Sequence, residues 1–194
     1  MRRTSFSDMR CSIARALEQV GEWWTLLIVR EAFFGTRRFG DFQSHLGIAP
    51  NVLAQRLQDL VGHGILEVTS TSENGRALDY KLTDKGRDLF PVIVALAQWG
   101  DQHAPAPDGP PVRIVERRTG RDIAPLSLRS ATGRALTARD VTVAEGPGAH
   151  ADERERFEQI RARQAAREAA FPKGSPKGPP EAPTKASRKA SHKA

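Results

Sequence analysis

Three polar side chains, Asn51, Gln55 and Arg56, are spaced so that they share one side of a predicted helix. On a wheel turning about 100° per residue, Asn51 and Gln55 lie about 160° and 200° from Leu53, with Val52 and Arg56 beside them. Asn and Gln amides can pair with adenine edges in a DNA major groove, and Arg can pair with guanine or hold a phosphate. These residue types fit the reading of bases, although an ordinary solvated helix face has the same pattern.

The elements around these side chains predict a helix-turn-helix. Pro50 suits the first turn of a helix over residues 50–61, because its missing N–H costs nothing there. A shorter helix over residues 38–46 precedes it and ends at Gly47, and glycine tolerates the left-handed conformation that a tight turn between helices requires. The apolar stripe of the second helix consists of three leucines: Leu53, Leu57 and Leu60.

A β-hairpin is predicted directly after this helix pair. Residues 65–70 and 77–82 have strand character, and the Asn74-Gly75 pair between them is a strong hairpin signal. Arg76 at the tip suits a minor groove or a phosphate, and the alternative is a plain surface arginine. The predicted fold class is mainly α with a small β-hairpin wing, a winged helix-turn-helix.

Three further helices complete a domain over residues 1–104. The first carries Ile13, Leu17 and Val20 on one face, and the second, from Trp23 to about residue 34, is apolar on most sides and is predicted to be central to the core. Thr83 can cap the last helix, which Pro91 should kink. That helix has more apolar residues than one small domain needs, which predicts dimerisation through a set we call the last-helix apolar residues: Leu89, Phe90, Ile93, Leu96 and Trp99.

The net charge of +7 over 194 residues is unevenly distributed, because residues 1–104 are balanced and most of the excess lies after residue 150. We predict a Pro-rich linker over 105–111, a small β subdomain or loosely held arm over 112–149, a charged helix over 150–171 and a disordered tail over 172–194. The tail is predicted to contact DNA without reading its sequence, or else to act only as a solubilising segment. Its cations are Lys173, Lys177, Lys185, Arg188, Lys189 and Lys193.

Several function classes are disfavoured by the sequence. The longest apolar run is too short for a membrane span, and the polar N-terminus does not resemble a secretory signal, so a cytoplasmic protein is expected. The five histidines are scattered without metal or catalytic spacing, there is no Gly-rich phosphate loop, and Cys11 is the single cysteine. We therefore predict no catalytic residue, no metal and no cofactor. The rival to a specific regulator is a nucleoid-associated protein that coats DNA through its tail.

A family resemblance covers residues 10–103. The chain resembles HxlR-type regulators, which are related to MarR-type winged helix proteins, in six stretches: CSIARAL at 11–17, VGEWWTLLIVRE at 20–31, FFGTRRF at 33–39, IAPNVLAQRL at 48–57, YKLTDKG at 80–86 and LAQWG at 96–100. The resemblance implies a transcriptional regulator that binds double-stranded DNA as a homodimer of its terminal helices, with helix 50–61 in the major groove. The simplest expectation is a repressor. The expected DNA-binding residues are Arg38, Asn51, Val52, Gln55, Arg56 and Arg76.

The resemblance also suggests a role in sensing small reactive molecules, and the chain departs from the family pattern at two places. Several members respond to aldehydes, quinones or oxidants, and Cys11 matches the sensor position of the redox-responsive ones; its alternative is a small residue packing near the dimer seam. Ala49 stands where many relatives have a Ser that would cap the helix better. Residues 112–149 resemble a zinc-ribbon-like extension, but this segment contains no Cys and no His, so it is expected to hold no metal.

Overall fold

The computed structural model describes residues 5–6, 8–70 and 78–170, and the chain divides into two compact units, Met1–Leu126 and Ser127–Ala194. The described elements of the first unit are α1 (Ser12–Val20), α2 (Trp23–Phe33), α3 (Phe39–Leu46), α4 (Pro50–Gly62), β1 (Leu66–Ser70), β2 (Leu78–Leu82), α5 (Asp84–Arg87) and α6 (Phe90–His103). Those of the second unit are β3 (Leu128–Arg129), β4 (Ala135–Leu136) and α7 (Ala151–Ala170).

The core of the first unit is built around α2, which contacts α3, α4, β2 and α6. Its inner side chains, Ile28 and Val29, are fully buried, and they meet Phe42 of α3 and the leucine stripe of α4. The prediction that the second helix is central to the core is therefore confirmed. Its first residue departs from this pattern, because Trp23 is 89% exposed.

A helix-turn-helix is formed by α3 and α4, as predicted. Gly47 ends α3 in the left-handed conformation, with φ of 61°, and its amide donates to the carbonyl of Gln43. Pro50 occupies the first turn of α4, and Ala49 at the N-cap offers no side-chain hydrogen bond. Burial of Leu53, Leu57 and Leu60 is complete to within 1%, which confirms the stripe and orients the opposite side of α4 outward.

The wing consists of the antiparallel pair β1–β2, in register from Leu66 opposite Leu82 to Ser70 opposite Leu78. The amide of Tyr80 donates to the carbonyl of Arg37 at 2.8 Å, and Arg38 forms a bridge with Asp79, so β2 is joined to the segment that begins α3. The wing strands therefore have a fixed orientation relative to the helix-turn-helix. The predicted Asn74-Gly75 turn lies outside the described residues.

One kinked helix was expected after the wing, and the structure corrects this to two helices. Thr83 is the N-cap of α5, and its hydroxyl accepts from the amide of Gly86 at 3.0 Å. Pro91 then lies in the first turn of α6, where it starts a helix instead of kinking one, because a missing N–H costs nothing at that position. Glycine is required at position 86 within α5, since a Cβ there would lie 2.2 Å from the carbonyl oxygen of Ile65.

The apolar face predicted for the first helix is only partly buried. Ala14 and Val20 pack inward, whereas Ile13 is 71% and Leu17 is 42% exposed in the single chain. The helical period correctly placed these residues on one side of α1. Within the described part of the chain, however, most of that side is not packed against another element. Among the described helices, none combines the length and the hydropathy that a membrane span needs.

The second unit contains a short hairpin and a long helix. Leu128 pairs with Leu136 and Arg129 with Ala135, and the turn between β3 and β4 includes Gly133. Asp140 accepts hydrogen bonds from the amide and hydroxyl of Thr137, which together with Arg134 lower the pKa of Asp140 to about 2. The helix α7 begins with two acidic residues in its first turn, which suits the positive end of a helix dipole.

Candidate nucleic-acid interface

The outward side of α4 carries the polar side chains that the sequence singled out. Asn51 and Gln55 are exposed, Val52 is half-buried against the core, and the leucines opposite them are buried. Because a helix-turn-helix presents the exposed side of its second helix, this surface has the shape and the amide groups that major-groove reading requires.

An acidic residue that was not predicted as part of the site organises two of these side chains. One carboxylate oxygen of Asp59 accepts from Nε2 of Gln55 at 2.9 Å, and the other accepts from the guanidinium of Arg56 at 3.0 Å. A second guanidinium nitrogen of Arg56 lies 3.6 Å from the carboxylate of Glu22, which precedes α2. Arg56 is therefore held between α4 and α2, with only 21% of its side chain exposed.

Buried Nε of Arg56 has no hydrogen-bond partner within the described part of the chain. The guanidinium is thus held by its two terminal nitrogens, one facing Glu22 and the other facing the same Asp59 carboxylate that accepts from Gln55. Arg56 therefore differs from an unpaired arginine, whose guanidinium is free to reach into a DNA groove. The i,i+3 and i,i+4 spacing of Asp59 from Arg56 and Gln55 is the sequence signal that could have predicted this.

Of the remaining predicted DNA contacts, the structure describes Arg38, which lies beside the wing strand β2. Arg38 precedes α3 with 68% of its side chain exposed, and its Nε is 3.9 Å from Asp79 on β2. The bridge between these two residues sets the position of Arg38 beside the helix-turn-helix. Arg76 lies outside the described residues, as do the six tail cations.

A buried carboxylate on α2 joins this helix to the first helix of the helix-turn-helix, α3. Glu31 of α2 is 7% exposed, and it accepts from Arg30 at 2.9 Å and from the hydroxyl of Thr36 at 3.2 Å, with Nδ1 of His45 3.1 Å away. Burial alone would raise the pKa of Glu31, but the hydrogen bonds from Arg30, His45 and Thr36 outweigh it and hold the pKa below its usual value. This cluster connects α2 to the C-terminal turn of α3.

The last-helix apolar residues divide into two groups in the single chain. Leu89 and Ile93 pack against the core, and the ring of Phe90 lies tilted against that of Phe33, with 5.2 Å between the ring centroids. Leu96 and Trp99 are 49% and 63% exposed. Dimerisation through this set stays a prediction. Leu96 and Trp99 are the members that the single chain leaves most exposed.

Cys11 is exposed and is the N-cap residue of α1, so the expectation that it begins the first helix is correct. Within the described residues, no group of three or more His, Cys, Asp or Glu side chains could hold a metal ion.

Comparison with known proteins identifies the family. The HxlR-like helix-turn-helix family matches residues 19–108. Rv3095 of Mycobacterium tuberculosis, an HTH-type transcriptional regulator, is 47% identical over 137 residues, which cover 71% of this chain and 87% of Rv3095. This alignment is longer than the family match, so the similarity continues outside residues 19–108.

Two solved structures resemble the chain. PA1607, a candidate transcription factor, has a TM-score of 0.68 and 45% identity, covering 74% of this chain and all of PA1607. PA1374 of Pseudomonas aeruginosa, also a candidate transcription factor, has a TM-score of 0.54 and 42% identity, covering 75% of this chain and 99% of PA1374. The chain therefore belongs to the HxlR-like helix-turn-helix family, and its relatives are regulators of transcription rather than enzymes.

Proposed function

We propose that the protein is a homodimeric repressor that binds one class of DNA sites specifically through α4. The observation that carries this proposal is the exposed pair Asn51 and Gln55, which lies opposite the fully buried leucine stripe of a helix-turn-helix. Two side-chain amides at this position offer donors and acceptors that match adenine edges. Val52 lies beside them, where its methyl groups can meet a thymine methyl.

Arg38 and Arg56 have different parts in this proposal. Arg38 is exposed, and its closest acidic group is 3.9 Å away, so it is available to hold a phosphate. Arg56 is engaged by Asp59 and Glu22, and its contribution is to fix the outer face of α4 relative to α2. Reading of guanine by Arg56, as the sequence pattern predicted, would require it to exchange both acids for the base.

The homodimer is supported by apolar surface that the single chain leaves uncovered. Ile13 and Leu17 on α1 and Leu96 and Trp99 on α6 are each at least 42% exposed. Large apolar side chains grouped on terminal helices are typical of an interface, because burying them removes apolar area from water. A two-fold dimer would present two copies of α4 to half-sites about one helical turn, roughly 10 base pairs, apart.

Selection of bound duplexes from a random DNA pool tests the proposal. The expected product is a family of pseudo-palindromic sequences whose half-site centres are separated by about 10 base pairs or a multiple of it. Recovery of unrelated sequences at equal frequency would contradict specific binding and favour a nucleoid-associated protein. A reporter carrying the selected site between promoter and gene then tests repression, since occupation should lower expression.

A further inference from the structure

We propose that residues 113–123 form a second DNA-binding element, which holds the phosphate backbone of duplex DNA without reading its sequence. The proposal rests on the proposed function for the identity of its ligand. It concerns a part of the chain outside the helix-turn-helix and the wing. We call this segment the basic hairpin, and its tip arginines are Arg117, Arg118 and Arg121.

The basic hairpin has a defined backbone. Ile123 donates to the carbonyl of Ile114 at 3.1 Å, and Glu116 donates to the carbonyl of Arg121 at 2.8 Å. At the tip, the amide of Gly120 donates to the carbonyl of Glu116 at 2.8 Å, and Gly120 adopts a positive φ of 66° that suits glycine. The tip is therefore a closed turn with a fixed backbone.

A bidentate ion pair closes the base of the hairpin. Nε and a terminal nitrogen of Arg113 donate to the two carboxylate oxygens of Asp122 at 2.9 and 2.8 Å. These hydrogen bonds lower the pKa of Asp122 below its usual value. Both charges at the base are satisfied by each other, so Arg113 is structural and is not counted among the available cations.

The tip arginines, in contrast, exceed the acids available to them. Glu116 is the acidic residue of the tip, and its carboxylate already accepts from the hydroxyl of Thr119 at 2.6 Å and lies 3.5 Å from Nε of Arg118. Arg117 and Arg121 are exposed and have no ion pair with any described residue. Three cations thus stand against one partly engaged acid within six residues.

The chemistry of the tip fits the phosphate backbone of DNA. A guanidinium presents a planar pair of donors that matches two oxygens of a phosphate, and this charge-assisted bond is stronger than a neutral one. The tip has no amide or aromatic side chain, and the hydroxyl of Thr119 is engaged by Glu116. A contact through this tip adds affinity for any duplex and leaves sequence preference to α4.

The test is a salt titration of the full-length protein on a duplex of random sequence, with Arg117→Gln, Arg121→Gln and the double variant. Each phosphate contact contributes about −0.9 to the slope of log affinity against log salt concentration, so the double variant should flatten the slope by about two per bound chain. The matched control is Arg134→Gln, which removes the same charge from an arginine that pairs with Asp140 at 3.2 Å. Its slope should stay within half a unit of the unmodified protein.

Unchanged slopes in both single variants and in the double variant would overturn the proposal, as would an equal flattening in Arg134→Gln, which would reduce the effect to net charge. The side chains of Arg117 and Arg121 form no hydrogen bond within the hairpin, so the variants should retain the circular dichroism of the unmodified protein. Failure of the proposed function is distinguishable. It would appear as no selected sequence in the random pool, whereas the basic hairpin is measured on random DNA.

Discussion

Gln55 donates a hydrogen bond of 2.9 Å from its side-chain amide to Asp59, one helical turn further along α4. The donor nitrogen is engaged in the single chain, but the carbonyl oxygen of the same amide is not, and the side chain is exposed. A base that pairs with both ends of this amide can use its carbonyl oxygen and the second hydrogen of its nitrogen, while the first hydrogen stays on Asp59. Asp59 therefore sets the orientation in which Gln55 meets the groove.

Replacement of Gln55 by Ala should weaken binding to the selected duplex by about 1–3 kcal/mol if the amide reads a base. Binding to random duplex should change little, because a base contact carries discrimination and few of the charges that hold the backbone. Fluorescence anisotropy on both duplexes measures the two affinities. The control is Gln159→Ala on α7, which removes an amide that also donates to a carboxylate one turn away, Glu155 at 3.3 Å. An equal loss on both duplexes would show that Gln55 does not read sequence.

Glu31 makes folding stability depend on pH. Its pKa is lower in the folded chain than its usual value of 4.5, because the hydrogen bonds from Arg30, His45 and Thr36 outweigh the effect of burial. A depressed folded pKa contributes stability above the unfolded pKa, and that stability is lost as pH falls from about 4.5 through the folded pKa. Urea unfolding of the unmodified protein should therefore show a falling free energy of unfolding across this range.

Glu31→Gln should remove that pH dependence and lower the free energy of unfolding at neutral pH by about 1–3 kcal/mol, since a neutral amide cannot accept from all three donors. Glu67→Gln, a change at an exposed position on β1, is the control and should leave the unfolding curve nearly unchanged. Equal pH profiles for the unmodified protein and Glu31→Gln would refute the role assigned to this carboxylate.

If the protein forms the proposed dimer through α6, Leu96→Asp and Trp99→Asp should each convert it to a monomer. Both side chains are about half or more exposed on α6, so the single chain tolerates a charge there, whereas a dimer interface would have to bury it unpaired. Light scattering after size-exclusion chromatography gives the mass, and circular dichroism checks the fold. Leu128→Asp, at a leucine that is 70% exposed in the second unit, is the matched control. Folded dimers from both α6 variants would defeat the assignment.

Features that depend on neighbouring residues could be predicted from the sequence, whereas features that depend on contacts between distant residues could not. The leucine stripe of α4 and the left-handed Gly47 were predictable, because helical period and glycine conformation are local properties. Pro91 was misplaced, since a proline signal alone does not say whether a helix is kinked or newly started. The Glu31 cluster was missed because its members are separated by up to 14 residues and meet only after α2 and α3 pack.

The exposed side chains of α1 show that periodicity alone does not predict what covers an apolar helix face. Ile13 and Leu17 have the spacing of a buried face, and their exposure in the single chain depends on what else covers them. Periodicity identifies which side of a helix is apolar, but it does not distinguish a side buried within the chain from one buried against a partner. The same holds for Leu96 and Trp99.

Oxidation or alkylation of Cys11 should change DNA affinity if this residue senses oxidants or electrophiles. It is exposed at the N-cap of α1 and follows Arg10 in the sequence, and oxidants and electrophiles react with the thiolate form of such a side chain. With one cysteine in the chain, oxidation can form an intersubunit disulfide or a mixed disulfide with a small thiol. The affinity for the selected duplex is measured before and after treatment with diamide or a quinone, with Cys11→Ala as the control. Unchanged affinity of the unmodified protein would leave Cys11 with a packing role.

Deletion of residues 172–194 should weaken binding to all DNA by similar factors and keep the sequence preference intact. This segment carries six cations and one acid, Glu181, and its prolines favour an extended chain whose charges can follow a backbone. If about four cations engage phosphates, the deletion should flatten the salt slope by roughly 3 to 4 units per bound chain. A full-length variant with the six cations replaced by Gln separates charge from chain length and should give the same slope as the deletion. Slopes equal to that of the unmodified protein in both variants would show that the tail remains in solution, and the nucleoid-associated alternative would then lose its main support.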